Sequence, residues 1–180
     1  KLLRLKITDP QGFRSLPCNF EHHFRTEWGL QEGLEQLGGF EPFVCAGPNG
    51  SGKSNLLEVL AAIFFQLEIL RVRRSFLPEA LQDETLDFSP VAFELDYLIR
   101  VPDQYRGSES PEWANVFVKK NLGESVRLVW ENQNEFDTDD VSEAFNGDHA
   151  HILLPQYVLG YSSGENEILS LPFFKMRFVQ

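Results

Sequence analysis

The chain has 180 residues, 42% hydrophobic and 24% charged, a balance that suits one domain of ordinary size with a real core. Its net charge of −11 argues against this segment alone being a strong non-specific nucleic-acid binder, because phosphate contacts need clustered Lys and Arg; contact through a local patch or a larger assembly stays open. Cys18 and Cys45 form neither a disulfide framework nor a C-x-x-C metal motif, which points to a reducing, cytoplasmic compartment, and no signal peptide or long apolar run announces a membrane span.

Leu3-Arg4-Leu5-Lys6-Ile7 alternates apolar and basic residues, the pattern of a strand with one buried face. Asp9-Pro10-Gln11-Gly12 is turn chemistry, and a second extended piece is expected from Phe13 to about Phe20. Residues 21–39 carry Gly29, Gly33, Gly38 and Gly39 and read as a loop or a short distorted helix. His22 and His23 are adjacent and cannot face one site together, so a surface loop is preferred to a metal role. Residues 40–46 form an apolar run without alternation, read as a central strand covered on both faces, with Cys45 a small core residue.

Gly47-Pro48-Asn49-Gly50-Ser51-Gly52-Lys53-Ser54 follows, and it fits G-x-x-x-x-G-K-[ST], the phosphate-binding P-loop pattern. The glycines let the backbone curl so that successive N–H groups point at phosphate oxygens. A helix begun near Lys53 adds its positive N-terminal end. Lys53 would neutralise the outer phosphates, and the Ser54 hydroxyl would take one place on a magnesium ion. The helix is expected to run to about Arg71. Its apolar residues, from Leu56 to Leu70, cover most of the circumference, so it should be buried against a sheet and a second layer. Arg71, Arg73 and Arg74 complement its C-terminal dipole, a reading preferred to a nucleic-acid patch.

Residues 76–89 read as loop and a short helix. Residues 91–101 alternate around Phe93, Leu95, Tyr97 and Ile99, a half-buried strand, and 103–112 are polar and turn-rich. Residues 113–119 and 126–130 form a hairpin with Asn121-Leu122-Gly123-Glu124 at its tip. Consecutive strands after the helix favour antiparallel pairing. Residues 134–148 hold six acidic residues and no Lys or Arg; the glycine and final Glu are absent from the fixed places that a calcium loop needs, and the stretch reads as a solvated acidic linker or insertion point. Residues 151–159 return to strand-like sequence. Leu159-Gly160-Tyr161-Ser162-Ser163-Gly164-Glu165-Asn166-Glu167-Ile168-Leu169 then opens a helix that Ser163 can cap, and Pro172 should bend it.

The form Pro48-Asn49-Gly50-Ser51-Gly52-Lys53-Ser54-Asn55, with Phe13-Arg14-Ser15 before it, resembles the N-terminal lobe of the SMC/RecF-type ABC ATPases. Tyr161-Ser162-Ser163-Gly164-Glu165 resembles their signature motif in the form seen in RecF-like and overcoming-lysogenization-defect-like members, some associated with phage defence. The resemblance is strong over about 45 residues. It implies an α/β fold: a P-loop NTPase of the ABC-type ATPase head, with a mixed central sheet and an antiparallel β subdomain, in a single partial domain spanning 1–180. It implies ATP and Mg²⁺ as ligands of residues 47–54 and Asn55. Arg14 lies where members place a basic residue near the nucleotide, against the alternative of a plain surface arginine. Ser162, Ser163, Gly164 and Glu165 would act in trans, closing on the phosphate held by a second copy in a head-to-tail dimer.

The resemblance implies Walker B carboxylates after the signature helix, and so after Gln180; the chain does not begin with Met and ends within an apolar pattern, as a piece of a longer protein would. The glutamine of the Q-loop is unassigned among Gln82, Gln104, Gln133 and Gln156. The expected activity is ATP hydrolysis in the full-length protein, gating a DNA-directed or effector activity through a partner protein. The alternative is a nucleotide-dependent clamp without useful turnover. A kinase or GTPase would leave the Ser-Ser-Gly-Glu stretch unexplained, and the base-reading N-K-x-D is absent.

Overall fold

The computed structural model describes residues 1–25, 43–71, 92–136 and 150–155. Five strands, β1 (Leu2–Ile7), β2 (Glu21–His23), β3 (Phe93–Arg100), β4 (Trp113–Lys120) and β5 (Arg127–Trp130), form one sheet in the order β2-β1-β3-β4-β5. Helix α1 is Lys53–Arg71, and a four-residue helix α2 is Ala150–Leu153. Single turns of 3₁₀ helix lie at Asp103–Tyr105 and Gln133–Glu135.

Period-two alternation sorts the sheet into two faces. On one face the register aligns Leu5, Leu95, Val118 and Leu128 in a row, with Tyr97, Val116 and Trp130 in the next. These residues are buried and share a core with Leu56, Val59, Leu60, Ile63 and Leu67 of α1. The other face is charged. Arg4 donates through Nε to Asp96 at 2.6 Å and through Nη2 to Glu94 at 3.1 Å, and Lys119 reaches Glu94 at 3.3 Å. Opposite charges on facing strands hold the register from that side. Around α1 the buried arc extends beyond the sheet face through Ala62, Phe65 and Gln66 to Glu58, as so apolar a helix requires. No helix among the described residues is long and apolar enough to cross a membrane.

The strand at 3–7, the helix, the half-buried strand at 91–101 and the hairpin form as their patterns predict. Gly12, at φ 71°, donates to Asp9 O at 3.0 Å in the expected turn. Three expectations need correction. Residues 43–46 form no strand, and Phe43 and Val44 are 47% and 78% exposed, because no strand of the described sheet pairs with them. The second extended piece begins later: Phe13 and Leu16 close on each other in a tight bridge, and the strand is Glu21–His23, inside the stretch read as loop or helix. The start of the strand-like 151–159 run is helical, α2, whose apolar Ile152 and Leu153 pack into the core. All strand pairs described are antiparallel, so no parallel ladder of a mixed sheet lies among the described residues. The acidic stretch beyond Phe136, the segment 76–89 and all residues after 155 lie outside the described residues.

Tyr97 ties α2 to the sheet. Its hydroxyl donates to Leu153 O at 2.7 Å, and burial pushes its pKa up. Tyr97→Phe leaves that buried carbonyl without this donor and should lower unfolding free energy by about 1–3 kcal/mol, measured by urea denaturation.

Candidate functional site

Residues 47–54 form an exposed loop that runs into α1, with no strand among the described residues 43–46 that lead into it. Gly50 and Gly52 adopt φ of 82° and 86°, left-handed conformations that side chains rarely tolerate. Ser51 N donates to Pro48 O at 3.3 Å, and Leu56 N to Gly52 O at 2.9 Å in the first helical turn. The N–H groups of Gly50 and Gly52 have no acceptor among the described residues. Lys53 folds back into the curve. Its ammonium donates to Gly47 O at 2.8 Å, Pro48 O at 2.6 Å and Ser51 Oγ at 3.2 Å, which uses all three of its donors. A cation held in a ring of glycine-rich backbone, beside a helix N-terminus, is an arrangement that binds an anion. Ser54 is exposed in the first turn of α1.

The turn between β1 and β2 braces this loop. Phe13 N donates to Leu16 O and Leu16 N to Phe13 O, each at 2.8 Å, leaving Arg14 and Ser15 at the tip. The Asn55 amide donates to Ser15 Oγ at 2.5 Å, so Asn55, a predicted nucleotide contact, is turned to the neighbouring turn. A Cβ added at Gly52 would meet Leu16 Cδ2 at 3.3 Å and Ser15 Oγ at 3.4 Å. Arg14 donates through Nε and Nη2 to Glu58 Oε1 at 3.2 and 2.9 Å. The structure therefore brings Arg14 to the P-loop helix, on a carboxylate partner that the sequence reading did not single out. Glu58 had one local signal: it is acidic, four residues after Ser54, and lies within the apolar run 56–65 of the helix.

The approach to the loop is held by rings instead of a ladder. Phe43 packs edge-on against His22 at 5.3 Å and Phe24 at 5.1 Å, and His22 meets Phe24 at 4.8 Å. His22 thus sits in an aromatic cluster, not in a surface loop, and His23 pairs with Glu21 at 3.0 Å. Among the described residues no group of three or more His, Cys, Asp and Glu is placed to hold a metal. A cavity of about 880 Å³ lies elsewhere, between Phe64, Tyr97, Ile99 and Leu154, and no residue of 47–54 borders it. Ser162, Ser163, Gly164 and Glu165 lie outside the described residues.

Two outcomes follow from this geometry. Gly52→Ala combines a left-handed backbone, about 1–2 kcal/mol for an L-residue, with crowding against Leu16. Gly50→Ala meets open space and should cost only the first part, so urea denaturation should rank Gly52→Ala the more destabilised. Burial, and then the neighbouring His23, hold the His22 pKa below its ordinary 6.5. The unfolded chain therefore binds this proton first as pH falls. Stability from neutral His22 is whole above pH 6.5 and is lost as the pH drops below it. His22→Phe should show a smaller fall in thermal midpoint between about pH 7 and 5 than the parent.

No family model matches the chain, and no curated protein or solved structure matches it.

Proposed function

We propose that residues 47–54 bind the phosphate chain of ATP together with Mg²⁺. One observation carries this reading: the Lys53 ammonium is held inside a loop whose two left-handed glycines find no acceptor for their N–H groups among the described residues. A phosphate oxygen entering the curve replaces the loop carbonyls as the partner of Lys53, and the contact becomes one between full charges. Gly50 and Gly52 supply N–H donors, and the first turn of α1 supplies its dipole. Ser54 is the metal contact in this reading. Mg²⁺ commonly takes one or two protein oxygens and completes its shell with phosphates and water, so a single hydroxyl at this place fits it. When bound, the ion neutralises phosphate charge. Arg14, paired with Glu58 in the next turn of α1, is a further cation for the phosphates in this reading.

The wider reading is of an ATPase of the SMC/RecF type. ATP draws two copies together head to tail, the Ser162-Ser163-Gly164-Glu165 loop of one meeting the phosphates of the other, and hydrolysis gates a DNA-directed or effector activity. The order of motifs along the chain supports this part, and the hydrolytic carboxylates are assigned to no residue here.

Titration calorimetry of the purified chain with MgATP tests the core of the proposal. The parent should bind, and Lys53→Ala should weaken binding at least about tenfold, the worth of a charge-assisted contact. Light scattering on the same samples should show the mass doubling with MgATP in the parent alone. Equal MgATP affinity in a folded Lys53→Ala variant refutes the assignment.

A further inference from the structure

We propose that Glu58 is a positioning residue that presents Arg14 to the phosphate chain, an inference that rests on the nucleotide reading of residues 47–54. The turn carrying Arg14 is fastened at three points to the start of α1: Ser15 to Asn55, Leu16 against Gly52, and Arg14 to Glu58. Arg14 adopts φ 55°, a conformation uncommon for a residue with a side chain. A bridge of two backbone hydrogen bonds between Phe13 and Leu16 holds that strained tip in place.

The pair is lopsided. The Glu58 side chain is 10% exposed and the Arg14 side chain 55%. Both of Arg14's bonds, from Nε and Nη2, converge on one oxygen of Glu58. They use one edge of the guanidinium, and Nη1 has no partner among the described residues. A guanidinium has five N–H donors in a rigid plane, so three remain for another acceptor. A buried carboxylate is costly without its partner, which keeps Arg14 from swinging away. Glu58 thereby fixes the plane of the guanidinium while its remaining donors stay accessible.

Placement decides what those donors meet. Glu58 follows Ser54 by four residues, so the two lie on one helix face about 5–6 Å apart. Arg14 is thus held about one helical turn from the hydroxyl assigned to Mg²⁺, on the turn whose Ser15 and Leu16 lie against Gly52. The acceptor that fits this position is an oxygen of the phosphate chain, not the base or ribose. A planar fork can bond Glu58 along one edge and phosphate with its other N–H groups, which the point charge of a lysine cannot do.

The test titrates the parent chain, Arg14→Ala, Arg14→Lys, Glu58→Gln and the Arg14→Ala/Glu58→Gln pair with MgATP and with magnesium tripolyphosphate, which has no base or sugar. Circular dichroism first establishes that each variant is folded. Glu58→Gln and Arg14→Ala should each weaken both ligands about tenfold, and the double variant no further, since Glu58 acts through Arg14. Arg14→Lys should keep the charge yet fail to restore affinity. The inference is overturned if Glu58→Gln binds as the parent does, if the two losses add, or if the variants only melt earlier with affinity unchanged. If the parent binds and Glu58→Gln is silent, the nucleotide reading survives and this inference alone falls. If the parent binds neither ligand, both fall.

Discussion

Burial of α1 against one face of the antiparallel sheet is the contact on which the other features depend. Val59, Ile63 and Leu67 of the helix share one buried core with the row of Leu5, Leu95 and Val118, all essentially inaccessible. Each such side chain contributes about 1.5–3 kcal/mol by leaving water. Because the helix cannot roll or slide without exposing that stripe, its N-terminus has a fixed place. The loop of residues 47–54 inherits that place. The loop is itself exposed, so core stability and the proposed phosphate site reside in different residues.

The exposed loop is nevertheless held from three directions. Its far end is the first turn of α1. Its flank is pressed by the turn of Arg14, Ser15 and Leu16, which reaches over from the β1–β2 connection. Its approach is anchored where Phe43 enters the ring cluster of His22 and Phe24. None of these ties uses the N–H groups of Gly50 and Gly52. That division suits the proposed anion cradle: the ends are fixed, and the donors between them have no acceptor among the described residues.

The legible parts of the fold were those whose signal is local. Alternation at Phe93, Leu95 and Tyr97 marks a strand because side chains on a pleated ribbon change face at every residue. Helix α1 could be bounded from its sequence, since Gly52 cannot easily be helical and apolar residues recur at helical spacing after it. The apolar run before the loop misled for a physical reason. A continuous apolar stretch suits a buried strand, but a strand exists only if neighbours accept its hydrogen bonds. For residues 43–46 the described sheet offers none, and Phe43 finds aromatic partners instead. The run at 151–159 was ambiguous in the same way, and Ile152 and Leu153 bury themselves from a helical turn.

By itself the amino-acid sequence determined the chemistry of the candidate site: glycines where the backbone turns left-handed, a lysine and a serine at a helix start, and the period of each element around them. Those are properties of neighbouring residues, set by sterics within a few bonds. Only the tertiary structure decided which side chains share the site. Arg14 and Glu58 are 44 positions apart, and nothing local in either names the other. Their meeting follows from a turn on one strand connection being laid against a helix that the core has already fixed. The same holds for His22, whose place among aromatic rings depends on where Phe43 returns to the sheet edge. Long-range packing, not local preference, brings the charges and rings of this site together.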